Sequence, residues 1–213
     1  MSLLQDEIRE QPQVLRRLFD EQVAAAMEIA RAIRDRDTSC VVMAARGTSD
    51  NASRYAQYLF GALNHLRVSL ATPSLFSIYH APPRLSDAVV IGVSQSGQSP
   101  DIIAVVEEGA RQGALTVAVT NAPDSPLALA ADFVLSVCAG PERAVAATKS
   151  YTAQLGALAL LAVQLAGDEE RLNLLRSVPD AVSRTLDLED SIERYAQRYT
   201  YATESVVLGR GYN

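Results

Sequence analysis

The sequence has no tryptophan, four phenylalanines, two histidines and two cysteines among its 213 residues. Cys40 and Cys138 both lie inside apolar runs, Cys40-Val41-Val42-Met43 and Val134-Leu135-Ser136-Val137-Cys138. That placement reads as buried thiols in a reducing compartment rather than a disulfide framework, so a cytoplasmic protein is expected. Two isolated histidines with no companion ligands give no metal site, and no cofactor is expected. Positive charge is also short: 19 basic against 25 acidic residues leave a net charge of −6, which offers nucleic acid no electrostatic footprint. The longest apolar stretch, Leu155 to Leu165, is interrupted by Gly156 and Gln164 and is too short to cross a bilayer. The first residues, Met1-Ser2-Leu3-Leu4-Gln5-Asp6-Glu7, lack the basic patch and apolar block of a signal peptide. An anionic ligand would therefore find no attractive overall field here, and would need local donors such as the backbone amides at helix starts.

What is present is alternation. From Gln13 to Arg36 apolar residues recur at helical spacing, with Pro12 suited to the first turn. Short apolar runs follow at Ser39–Ala45, Val68–Ala71, Ala88–Val93, Leu115–Val119 and Phe133–Val137, the pattern of strands buried on both faces. Five such strands separated by helical segments predict a three-layer α/β/α sandwich with a five-stranded parallel sheet, flavodoxin-like, plus an N-terminal helix and C-terminal helices. Helices are expected again from Thr148 to Ala166 and from Asp168 to about Thr200, the second interrupted at Pro179. Residues 1–36 read as a helical lead-in, 37–166 as the main domain and 167–203 as a helical linker. Ser205-Val206-Val207-Leu208-Gly209-Arg210-Gly211-Tyr212-Asn213 repeats the plan of Ser39 to Asn51, so residues 204–213 read as the start of a second domain of the same kind.

In open parallel sheets ligands bind beyond the carboxyl ends of the strands. Two loops there are unusual: Arg46-Gly47-Thr48-Ser49-Asp50-Asn51 after the first strand and Ser94-Gln95-Ser96-Gly97-Gln98-Ser99-Pro100-Asp101 after the third. Each leads into a helix, with Ser99 placed as N-cap and Pro100 as first helical residue. Glycine lets the backbone approach a ligand, helix-start amides point at it, and hydroxyls add donors, giving an uncharged cradle for a phosphate. One such loop is explained by helix capping alone. Five hydroxyls, on Thr48, Ser49, Ser94, Ser96 and Ser99, exceed what two caps require. A dinucleotide site is disfavoured because the first loop lacks spaced glycines and no acidic residue ends the second strand. A flavin phosphate loop would belong after the first strand, and no aromatic run near the loops could sandwich the flavin ring.

Four motifs in order, Glu7-Ile8-Arg9-Glu10-Gln11-Pro12, Arg46-Gly47-Thr48-Ser49, Ser94-Gln95-Ser96-Gly97 and Val145-Ala146-Ala147-Thr148-Lys149 followed by Gln154-Leu155, resemble the sugar isomerase (SIS) domain family. The resemblance is to the isomerase half of glucosamine-6-phosphate synthase and related aminosugar-phosphate isomerases and deaminases. It implies a phosphosugar-binding domain for fructose 6-phosphate or glucosamine 6-phosphate, without the glutaminase domain. The resemblance further implies that Gly47, Thr48, Ser49, Ser94, Gln95, Ser96 and Ser99 surround the phosphate and nearby hydroxyls, and that Val145 and Ala147 face the sugar carbons. Lys149 is added as a marginal substrate contact, with pairing to an acidic neighbour as its alternative. Departures from the synthase pattern are Arg46 for cysteine, Gln98 for glutamate, Ser99 for threonine and Ala147 for serine.

The family's chemistry moves a proton between C1 and C2 of an open-chain sugar phosphate, using a histidine, a lysine and a glutamate. The resemblance places those three in a second domain and a tail, so no catalytic residue is assigned and the chain is expected to bind without turnover. His65 and His80 do not match the family's histidine, and Glu142, a lone carboxylate, reads as structural. An expected homodimer rests on the helix after Lys149, apolar nearly all round. The other reading from a different class is a non-catalytic phosphosugar sensor, of the kind fused to helix-turn-helix regulators.

Overall fold

The computed structural model describes residues 2–206, 209, 211 and 212. Its centre is a parallel sheet of five strands: β1 (Cys40–Ala45), β2 (Arg67–Leu70), β3 (Val89–Ser94), β4 (Leu115–Thr120) and β5 (Phe133–Ser136), in the order β2-β1-β3-β4-β5. Every neighbouring pair is parallel. The helices are α1 (Leu3–Arg9), α2 (Gln11–Glu21), α3 (Val23–Asp35), α4 (Thr48–Asn64), α5 (Ser74–Ser77), α6 (Pro100–Arg111), α7 (Pro126–Ala130), α8 (Lys149–Ala166), α9 (Glu169–Leu186) and α10 (Glu189–Ala196).

The two-residue period of the strands divides the core. Val41, Met43, Val89, Ile91, Val93, Val117 and Val119 join α2, α3, α4 and α8 on one face. Ala44, Val90 and Ala118 join Phe76, Ile102, Val105, Val106 and Leu127 of α5, α6 and α7 on the other. All six residues of β3 and of β4 are buried, which is why these runs carry no polar alternation. The three-layer sandwich read from the sequence is thus the observed fold.

Three details differ. The helix expected from Gln13 to Arg36 is two helices, broken at Gln22, whose side chain leaves the helical path to accept a hydrogen bond from the Ser136 amide of β5 at 3.2 Å. Pro179 does not interrupt α9; it is buried inside the helix, and Leu172, Leu175, Val178 and Val182 pack on the core around it. That burial outweighs the single lost backbone bond, and the chain breaks at Asp187 and Leu188 instead. The apolar helix α8 is central, covered by α2, α3, α4 and α9, so its composition does not call for a second copy. Glu204, Ser205 and Val206 form no strand, and Val207, Leu208, Arg210 and Asn213, on which the second-domain reading also rests, lie outside the described residues. Among the described residues no helix is long and apolar enough to cross a membrane, and Cys40 and Cys138 are free and half-buried.

A methyl group on Gly92 of β3 would sit 2.8 Å from Val106 Cγ2 and 2.9 Å from Leu127 Cδ1, so α6 and α7 lie against the sheet at glycine distance. Valine is stiff and cannot swing aside. Gly92→Ala should lower unfolding stability by about 1–3 kcal/mol through overpacking, measured by urea denaturation. An unchanged midpoint would show that the helices can retreat freely.

Candidate functional site

After β1 the chain turns to α4 on one face of the sheet, and after the adjacent β3 it turns to α6 on the other. This reversal splits the two loops apart and opens a crevice at the carboxyl edge, where open α/β sheets take their ligands. The first turns of both helices face that edge. Gly47, at φ 57° and ψ −129°, precedes α4, and Ser99 precedes α6; neither provides a side-chain hydrogen bond to its helix. In α6 Pro100 has no amide proton and the Ile102 amide bonds the Ser99 carbonyl at 3.1 Å, so the amides left for a ligand are chiefly those of Thr48 and Ser49 at the start of α4.

The β3 loop is braced from within. The Gly97 amide donates to Ser94 Oγ at 3.1 Å, and the Gln98 amide to Ser96 Oγ at 3.3 Å. The Gln95 carbonyl accepts from the Asn121 amide at 3.1 Å and Thr120 Oγ1 at 3.3 Å, which ties the loop to the end of β4. Gly97 has φ 62°, and an added Cβ would lie 1.9 Å from Ser125 Oγ, so only glycine fits that corner. Across the crevice mouth, Arg46 pairs with Asp101 in the first turn of α6 at 2.7 Å. Its guanidinium is the charged group that stands where the resemblance has a cysteine.

A recess of about 160 Å³ is lined by Thr48, Ser49, Gln95 and Ala147 together with Ser150, Tyr151 and Gln154. Four residues named from the sequence thus meet in one cavity. Gly47, Ser94, Ser96 and Ser99 belong to the loops at its edge. Val145 is fully exposed at the tip of the segment before α8. Lys149 does not face the recess: it is buried and its ammonium pairs with Glu10 at 2.6 Å, the alternative that the sequence left open. Three lining residues were not named from the sequence. Gln154 is the most telling, because its Oε1 is buried without a hydrogen-bond partner at the wall of a polar cavity. A buried acceptor left unpaired is costly, and a ligand hydroxyl or water would satisfy it. The only signal in the sequence was its place within the Lys149 motif.

Glu142 holds the start of α8. It accepts from the Thr148 amide at 2.9 Å, the Ser150 amide at 3.1 Å, Thr148 Oγ1 at 3.4 Å and the Ser150 hydroxyl, and from Gln95 Nε2 at 3.4 Å. Burial works to raise its pKa, but the bonds from the Ser150 hydroxyl and the Thr148 and Ser150 groups outweigh it and hold the carboxyl below its ordinary range. The histidines are elsewhere. His65 caps the far end of α4, roughly 25 Å along the helix axis from Thr48. His80 lines a separate groove with Phe76, Glu107, Glu108 and Arg111.

A doubly wound parallel sheet with a hydroxyl-lined recess at its strand reversal defines an open α/β domain with a crevice at the carboxyl edge. The chain belongs to the SIS domain family, which it matches over residues 36–164. It is 35% identical to the glutamine–fructose-6-phosphate aminotransferase (isomerizing) of Aquifex aeolicus over 84% of this chain and 30% of that protein. Among solved structures it superposes on a candidate phosphosugar isomerase of Silicibacter pomeroyi DSS-3 with a TM-score of 0.83 and 37% identity, covering 86% of this chain and 56% of the other. The C-terminal domain of glucosamine-fructose-6-phosphate aminotransferase from Francisella tularensis gives a TM-score of 0.86 at 23% identity, over 99% of this chain and 63% of that one. The chain spans about a third of the length of the curated relatives it matches.

A carboxyl with a folded pKa below its unfolded value contributes stability that is present above the unfolded pKa and lost as pH falls through the folded one. Glu142→Gln should therefore cost about 1 kcal/mol of stability at neutral pH, and the gap to the wild type should close as the solution is acidified below the carboxylate range. Thermal unfolding across that pH series checks it, and a gap independent of pH would contradict the capping role.

Proposed function

We propose that the crevice binds a hexose 6-phosphate or aminosugar 6-phosphate, with the phosphate on the Gly47–Ser49 and Ser94–Ser99 loops and the sugar toward Val145, Ala147 and Gln154. The observation that carries this reading is the meeting of two helix starts without side-chain caps and the Thr48, Ser49 and Gln95 recess at one strand reversal. The aminotransferase names of the curated relatives support fructose 6-phosphate as the ligand; glucosamine 6-phosphate as the alternative ligand, and an aldose-ketose isomerase or aminosugar-phosphate deaminase as the whole protein, complete the reading. A cytoplasmic setting and no part in nucleic-acid binding belong to the same reading, as does the division into lead-in, main domain, linker and second-domain start.

Within the described recess no lysine or histidine is presented to a ligand, and Glu142 is committed to the start of α8. General acid and base groups each contribute about a hundred- to ten-thousand-fold, so this crevice without them should bind and not turn over. Support for a dimer is a groove of about 610 Å³ whose wall includes Leu15, Phe19, Leu155, Leu175 and Val178, an apolar patch bordered by Asn51, Arg54 and the chain's own Tyr212.

Titration calorimetry of the chain with fructose 6-phosphate and glucosamine 6-phosphate should show binding. Joint replacement of Ser94 and Ser96 by Ala should weaken it by about 1.5–3 kcal/mol for each charge-assisted bond lost. Unchanged affinity in the double variant would remove the phosphate from these loops. The same preparations in a coupled assay should show background turnover only; robust conversion would mean a catalytic group in this crevice has been overlooked. Light scattering at micromolar concentration should give twice the chain mass of 22.9 kDa, and the monomer mass would count against the dimer.

A further inference from the structure

The Glu7-to-Pro12 motif has no place in the phosphate site, and the packing of α1 explains why it is there. Glu7 is the only buried residue of α1, so a carboxylate rather than an apolar side chain fixes this helix to the body. At 3% exposure it accepts from the Arg143 amide at 2.5 Å and from the Ala144 amide at 3.3 Å and 3.1 Å, two successive donors of the segment before α8. A buried carboxylate is tolerated when such bonds replace its hydration.

Its neighbours hold the start of that segment and the first turn of α8 that follows it. Arg17 Nε donates to the Cys138 carbonyl at 2.8 Å, Glu10 pairs with Lys149 at 2.6 Å, and Thr152 Oγ1 donates to Gln11 Oε1 at 2.5 Å. From the other side, Asn121 Nδ2 donates to the Gly140 carbonyl at 2.7 Å and Asn121 Oδ1 accepts from the Ala139 amide at 2.8 Å. Residues 145–147 alone project between two carboxylate anchors, Glu7 at Arg143 and Ala144 and Glu142 at Thr148 and Ser150. This exposed tip carries Ala147 into the recess beside Thr48, Ser49 and Gln95.

We propose that Glu7 is a positioning residue: it sets the place of the 145–147 tip against the sugar end of the ligand, and leaves the phosphate loops untouched. The proposal rests on the hexose-phosphate reading of the crevice. Neither loop receives a hydrogen bond from α1: the β3 loop is held by its strand end and by Thr120 and Asn121, and its side-chain link to the segment runs from Gln95 Nε2 to Glu142, beyond the Glu7 anchor. Loss of the Glu7 anchor should separate the two halves of recognition.

The test compares Glu7→Gln with the wild type using two probes, fructose 6-phosphate and inorganic phosphate. Glu7→Gln should weaken the sugar phosphate about tenfold, the effect of one charge-assisted bond, while inorganic phosphate stays within about twofold. Equal weakening of both, or of neither, overturns the proposal. Amide hydrogen exchange on the wild type decides independently, should the variant fold poorly. The amides of Arg143 and Ala144 should exchange at least about tenfold more slowly than those of Val145 and Ala146, since only the former are bonded to Glu7. Equal exchange overturns the anchor. A wild type that binds neither probe counts against the hexose-phosphate reading, and the exchange pattern then still decides whether Glu7 holds the segment.

Discussion

The central strand β3 sets the constraint on which the rest of the molecule depends. All six of its residues are buried, so both of its faces must be covered and its neighbours on either side must be strands. The chain meets this by sending α4 to one face and α6 to the other, from adjacent strands. That division opens the crevice between their loops without any residue dedicated to making a cavity. The packing solution and the crevice are therefore the same feature. Gly92 shows how tight the solution is, since α6 and α7 approach the sheet to within a methyl group.

An anion in this crevice meets a net-negative protein, so its stabilisation has to come from oriented dipoles rather than from the overall field. The nearby charges are arranged accordingly. Arg46 is held by Asp101, Arg54 by Asp50 and Lys149 by Glu10. The three carboxylates around the segment before α8, on Glu7, Glu10 and Glu142, are each turned onto amides, hydroxyls or an ammonium. Left free, they would repel a phosphate. Bound as they are, they hold the segment that forms the wall opposite the hydroxyl-rich loops.

The fold was legible because its strands are buried on both faces and so appear as unbroken apolar runs, and because Ser99-Pro100 marks a helix start. The loops stood out because five hydroxyls exceed what two helix caps require; the structure shows that Ser94 and Ser96 also brace their own loop. What escaped the sequence depends on partners distant along the chain. Gln22 breaks a helix to reach Ser136, and Lys149 turns away from the site to Glu10. Pro179 stays helical because its neighbours pack on the core. The apolar helix α8 signalled burial correctly, but not that this chain's own helices supply the cover. Gln154 carried no local mark of an unpaired acceptor; only its position on the recess wall shows it.

These distant contacts divide the crevice into two mechanical parts. The phosphate loops hang from strands β1 and β3 and inherit the rigidity of the sheet, and the Ser94–Gly97 bond and the Gln95 carbonyl contacts lock one of them further. The opposite wall is a segment from the end of β5 to α8, fastened by side chains of α1 and α2 that the sheet does not need for its own packing. This strap and the sheet loops meet at the 3.4 Å contact of Gln95 Nε2 with Glu142 and at Asn121, which bonds both. Ala147, which departs from the synthase pattern, sits on that strap. The phosphate loop Ser94-Gln95-Ser96-Gly97, held by the sheet, keeps the pattern unchanged. The departures from the synthase pattern fall on both parts, Ala147 on the strap and Arg46, Gln98 and Ser99 at the hydroxyl-rich loops, so the strap is not the only place where this chain differs.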